Sequence, residues 1–258
     1  MKKYFIAIFM VLILIDFAAA QEKKEQLEKS DHFIIHYKNA SEDFIRELLE
    51  KSEEFYNKIA DELGFIRFNF WVWDNRAHIY VYDDAGDYQA ATGQPAWSAG
   101  AAIPGQKAIY TYTGAQEFFA TVLPHEMGHI IFREFVGFNN PAVPVWLEEG
   151  VASYQMDIRR PAADLSVKEA MENGNFISIE NLSNQNPLMM SSDDMVSLFY
   201  LESVSIINYL IKEFGKDSFV LFCQNLRDKK NLERAIASVY PFENIKQLDE
   251  AWQGKLKK

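Results

Sequence analysis

Residues 125–129 read His125-Glu126-Met127-Gly128-His129, and they interrupt a run of apolar residues: Val122, Leu123, Ile130, Ile131, Phe132 and Phe135. The apolar spacing is that of a helix with a buried face. Three polar side chains in such a helix need a shared purpose, because a buried polar group without a partner is costly. Positions i and i+4 of a helix share one face, so the two imidazoles can meet at one ion with Glu126 beside them. Neutral imidazole suits Zn2+, which in catalytic sites takes three protein ligands and keeps one position for water. Gly128 costs about 1 kcal/mol of helix propensity relative to alanine, and a small residue there lets another element pack closely under the ion. A chance match to the pentapeptide is the competing reading. It suits exposed or loop segments better than this apolar run.

Composition narrows the search for a third ligand. The chain has five histidines and one cysteine. Cys223 alone can form neither an intrachain disulfide framework nor a thiolate-rich metal site. No histidine follows His129, which excludes the H-E-x-x-H-x-x-G-x-x-H arrangement. A downstream carboxylate remains, and Trp146-Leu147-Glu148-Glu149-Gly150-Val151-Ala152 offers two on a second helical stretch. The net charge of −11 argues against nucleic-acid binding, which relies on Lys and Arg against phosphates. Twenty Phe and 12 Tyr supply a sizeable core.

Residues 1–20 read as a signal peptide. Lys2 and Lys3 precede an apolar run over residues 4–15, and Ala18, Ala19 and Ala20 supply a cleavage site. The run is short for a span of about 20 residues, and Asp16 interrupts it. Removing Lys2, Lys3 and Asp16 moves the net charge from −11 to −12. No later stretch reads as long and apolar enough to span a membrane. The expectation is an exported bacterial protein, periplasmic or secreted, with no stable membrane span after cleavage.

Strand patterns fall at residues 32–37, 78–82 and 107–113. Helical patterns fall at 41–63, 115–135, 144–158, 193–214, 216–226, 232–239 and 242–256. Residues 21–30 read as frayed, 83–105 as mostly loop and 181–192 as a polar loop. Strands first and helices later predict an α+β chain. Its small mixed sheet packs on the H-E-x-x-H helix, a mainly helical lobe follows, and the zinc cleft lies between. The expected parts are 1–20, 21–140 with the zinc helix, and 141–258 with the third ligand. Residues 107–113 are the expected edge strand for an extended substrate. His32 and His36 read as packing residues on one strand face, and His78 as structural. Trp71, Trp73, Tyr110 and Tyr112 read as core and cleft packing, Cys223 as a buried small hydrophobe, and Asp193-Asp194 as a helix N-terminus.

H-E-x-x-H followed by Trp146-Leu147-x-Glu149-Gly150-x-Ala152 resembles the gluzincin metallopeptidases, most closely the small exported peptidase MA-like members and more distantly the zinc aminopeptidases. The similarity continues through residues 199–215 and 231–252. The resemblance implies a zincin-like fold and one Zn2+ per chain held by His125, His129 and Glu149. It also implies Glu126 as general base and a peptide or unfolded protein as substrate. Nineteen residues separate His129 from Glu149, one more than in the aminopeptidases, so Glu148 stays the alternative ligand. By the same resemblance Tyr200 is the oxyanion donor, with Tyr209 second. The aminopeptidases' G-x-M-E-N segment has no counterpart, since residues 100–104 contain neither Glu nor Asn. Aminopeptidase specificity is therefore not implied. Two other functions stay open: a zinc-bound, non-hydrolytic peptide- or protein-binding module, and a zinc hydrolase of a cell-wall amide.

Overall fold

The computed structural model describes residues 24–156 and 160–258. The signal-peptide reading of residues 1–20 lies outside them. Five strands form one sheet: β1 Gln26–Lys29, β2 Phe33–Tyr37, β3 Ala77–Tyr82, β4 Gly100–Ile103 and β5 Ala108–Tyr112, in the order β1-β2-β3-β5-β4. β2, β3 and β5 are parallel, with Ile35 opposite Ile79 and Ile79 opposite Ile109. β1 and β4 add antiparallel at the two edges. Strand alternation buries Phe33, Ile35, Ile79 and Ile109 in the core. The other face carries His36, His78, Tyr80 and Tyr110. There His36 Nε2 lies 2.8 Å from His78 Nδ1, and Tyr80 stacks on both His36 and Tyr110.

Ten α-helices are assigned among the described residues: α1 Glu42–Glu62, α2 Ala85–Thr92, α3 Leu123–Val136, α4 Val145–Tyr154, α5 Arg160–Glu172, α6 Ile179–Ser183, α7 Asp193–Phe214, α8 Lys216–Lys229, α9 Leu232–Val239 and α10 Ile245–Leu256. The chain is thus α+β, with a small mixed sheet early and helices after it. One continuous core joins Leu48 of α1, Ile79 of β3, Phe132 of α3, Trp146 of α4, Ile207 of α7 and Phe219 of α8.

Several expectations need correction. Residues 26–29 are not frayed. They form β1, which is exposed along its whole length and held by backbone pairing to β2, so it has no apolar alternation to read. The stretch 83–105 holds α2 and β4. α2 is short and has no apolar stripe, although Asp84 caps it by accepting from the Asp87 N–H at 2.9 Å. β4 is built from small residues, and its place comes from pairing with β5. The edge strand is consequently β4, and residues 108–112 lie inside the sheet. The polar loop 181–192 contains the end of α6, whose start Ser178 caps. His32 precedes β2 and turns to α1 instead of sharing the strand face, stacking on Tyr56 and meeting Glu53 at 2.6 Å. Trp71 is buried as expected, whereas Trp73 is exposed. Tyr110 stacks on the outer sheet face, away from the cleft.

α7 also amends the membrane expectation, since its length and composition alone would allow a span. In the structure it is a core helix, burying Phe199, Val204, Ile206, Ile207 and Leu210. Two close approaches fix α4 between its neighbours. A Cβ on Gly128 of α3 would lie 2.9 Å from Ala152 Cα, and one on Gly150 of α4 would lie 2.6 Å from Ser203 O of α7. The glycine of each motif therefore lets three helix backbones meet at one place.

Candidate active site

α3 begins with Pro124 in its first turn and ends at Gly137, whose φ is 100°. Its apolar face buries Met127, Ile130, Ile131, Phe132 and Phe135. The 3.6-residue period puts His125, His129 and Arg133 on another stripe. α4 follows after a short turn, capped at Pro144, and carries Glu148, Glu149 and Ser153.

The two helices bring three donor atoms together. His125 Nε2 and His129 Nε2 are 3.1 Å apart, and Glu149 Oε2 lies 3.6 Å from the first and 3.7 Å from the second. A tetrahedral ion with bonds near 2.1 Å holds its donors about 3.4 Å apart. Two imidazoles and a carboxylate at these spacings fit a divalent metal ion, and among the described residues His125, His129 and Glu149 form the group that could hold one.

Each imidazole is steered from behind. Ser153 Oγ lies 3.4 Å from His125 Nδ1. Glu148 Oε1 lies 3.5 Å from His129 Nδ1, while its Oε2 accepts from Arg133. With both Nδ1 atoms facing these groups, both Nε2 atoms face the focus. Burial alone would raise the Glu148 pKa, but hydrogen bonds from Arg133 and His129 overcome it and bring the group down to about 2. Burial works against a charged His129 as well, yet Glu148, Glu149 and Glu126 together push it up to about 9.

Glu126 is half-buried, and desolvation pushes its pKa up to about 7 even though His129 and a backbone hydrogen bond oppose the rise. That bond comes from β4, where the Ala102 N–H donates to Glu126 Oε2 at 2.8 Å. A half-buried carboxyl beside a possible metal position suits proton transfer. A cavity of about 510 Å³ opens over His125 and Glu126 and reaches Tyr200 of α7. Tyr209 packs against Phe214 and does not line it.

Residues 73–258 match the family model of the Peptidase MA superfamily. The chain belongs to the Peptidase MA superfamily. No curated protein matches it. The matched span contains both motif helices, and membership of the Peptidase MA superfamily points to a peptidase acting on peptide substrates.

His125, Glu126, His129 and Glu149 converge, and Tyr200 stands at the same cavity. Glu148, the alternative ligand, faces the rear of His129. Sequence reasoning missed Arg133, Ser153 and the Ala102 N–H. Arg133 continues the i+4 series of His125 and His129, and Ser153 lies four residues after Glu149, so helical periodicity held a signal for both. The Ala102 contact is a backbone one from a strand with no pattern, and had none.

Proposed function

We propose that this chain is a zinc-dependent metallopeptidase of the gluzincin type, with a zincin-like cleft between the α3 side, residues 21–140, and the helices of residues 141–258. The observation that carries the reading is the triangle of His125 Nε2, His129 Nε2 and Glu149 Oε2, with sides of 3.1, 3.6 and 3.7 Å, beside the half-buried Glu126. One Zn2+ held there supplies Lewis-acid polarisation of the scissile carbonyl and acidifies the attacking water.

The chain's own residues do the rest. Glu126 takes the water's proton and later delivers it to the leaving amine. The Ala102 N–H holds Glu126 Oε2, leaving Oε1 to meet the water. Tyr200 donates to the developing oxyanion from the α7 wall of the cavity. Ser153 and Glu148 keep the two imidazoles turned inward. We also read the chain as exported, on the strength of Lys2, Lys3, the apolar run and Ala18–Ala20.

The test is elemental analysis of purified protein together with Glu126→Gln in a general proteolysis assay. One zinc per chain, with cleavage by wild type sensitive to chelators and abolished in a variant that keeps its zinc, is the expected result. Undiminished cleavage by Glu126→Gln would overturn the proposal.

A further inference from the structure

The cavity over Glu126 has an unusual wall. Trp97, from the loop before β4, is 82% exposed, and Leu188, from the short turn before α7, is 85% exposed. Large apolar side chains gain by leaving water, and these two come from distant stretches of chain yet line the same cavity. Val122, Met156 and Val196 continue the lining between them. Met189, next to Leu188, is 87% exposed, and Ile103 at the end of β4 is also exposed. No Lys or Arg is among the lining residues, whose ionisable members are His125, Glu126 and Tyr200. The volume of about 510 Å³ lies within the range of about 300–1,000 Å³ typical of ligand pockets.

From this surface we infer that the site selects peptide segments carrying bulky apolar side chains, Leu, Met or Phe, beside the bond to be cut, and that Trp97 and Leu188 grip them. The inference rests on the peptidase reading above and names its substrate class. The occupant follows from three features: the apolar wall runs directly to Glu126, it offers no cation to an acidic side chain, and its largest residues stand in water until something covers them. A segment with apolar side chains is buried in a folded protein and accessible in an unfolded one. The preferred substrates are thus unfolded chains or exposed apolar termini. A sugar-rich cell-wall amide would instead depend on the hydroxyls of Ser98, Thr121 and Tyr200 among these lining residues.

Two measurements test it. Internally quenched peptides, identical except for Phe, Leu, Gly, Ser or Asp at the two central positions, are offered to the wild type. The same peptides, and a muropeptide, are titrated by calorimetry into the zinc-loaded Glu126→Gln protein, which reports binding without turnover. The apolar peptides are expected to be cleaved with at least about 10-fold higher kcat/KM than the Gly or Asp peptides and to bind correspondingly tighter. Trp97→Ala and Leu188→Ser should each shrink the Phe-to-Gly ratio several-fold, through KM more than kcat. Both side chains are exposed, so zinc content and melting temperature should not change. Equal binding and cleavage across the series, or tighter binding of the muropeptide, would overturn the inference while leaving the peptidase reading intact. Apolar-selective binding with no cleavage of any peptide by wild type would uphold the selectivity and remove the peptidase reading.

Discussion

Glu148 Oε1 stands 3.5 Å from His129 Nδ1, on the side of the ring away from the donor triangle. Arg133 donates to the other oxygen of the same carboxylate. Adjacent glutamates on one helix thus serve one histidine from opposite sides: Glu149 beside Nε2 and Glu148 behind Nδ1. Loss of such a supporting carboxylate weakens metal affinity by about 10–100-fold. Glu148→Ala should therefore lower zinc affinity by that amount in a chelator competition, and Glu149→Ala by far more. The order of the two effects discriminates the roles. A larger loss in Glu148→Ala would make Glu148 the ligand.

Gly150 makes a second prediction. The added Cβ of Gly150→Ala would meet the Ser203 carbonyl oxygen at 2.6 Å and the Ser203 carbonyl carbon at 2.9 Å. Both are backbone atoms of α7, so a rotamer change cannot relieve the clash. Overpacking of this kind costs typically about 1–3 kcal/mol. Gly150→Ala should lose about that much in urea unfolding and also bind zinc less tightly, because α4 carries Glu149. Unchanged stability would mean that α4 and α7 are less closely packed than described.

The pairing of His125 with His129 was legible because the two share one helical face; the second helix offered Glu148 and Glu149 alike, and only the family resemblance favoured Glu149. The helices of the second half were legible by the same helical periodicity, and residues 193–214 and 232–239 match α7 and α9. What escaped was held by pairing rather than pattern. β1, Gln26-Leu27-Glu28-Lys29, is exposed on both faces with Leu27 its one apolar residue, and β4 consists of Gly100, Ala101, Ala102 and Ile103. Each is a strand only because its neighbour supplies hydrogen bonds. That gap displaced the sheet edge from β4 to β5 in the sequence reading and hid the backbone N–H that holds Glu126.

The two tyrosines proposed for oxyanion stabilisation now separate. Tyr200 lines the cavity with His125 and Glu126, while Tyr209 packs on Phe214. Removing one oxyanion donor typically costs about 10²–10³ in kcat. Tyr200→Phe should lower kcat by roughly 10²-fold with zinc content and melting temperature unchanged, and Tyr209→Phe should leave kcat within a few-fold of wild type. A wild-type kcat in Tyr200→Phe would remove the tyrosine from the mechanism.

Glu202 of α7 gives a pH signature from a residue outside the candidate metal-binding group. It is fully buried, with Oε1 accepting from the Ile177 N–H at 2.9 Å and Oε2 without a hydrogen-bond partner among the described residues. Burial, with a smaller push from Asp249, raises its pKa from 4.5 to about 8 against the opposing Ile177 bond. Below pH 4.5 the carboxyl is neutral in folded and unfolded chains alike, and its burial carries no ionisation cost. Between that pH and about 8 the unfolded chain releases a proton that the folded chain retains, so stability falls as pH rises. The slope is at most about 1.4 kcal/mol per pH unit. Asp249, raised chiefly by its own burial, acts with the same sign. Urea unfolding at pH 5 and pH 8 should show wild type less stable at pH 8. Glu126 and His129, whose pKa values are also raised, act with the same sign, so Glu202→Gln should be more stable than wild type at pH 8 and lose part of the difference between the two conditions while the rest remains. A variant with the wild-type slope would place the ionisation elsewhere and return Glu202 to an ordinary carboxylate pKa.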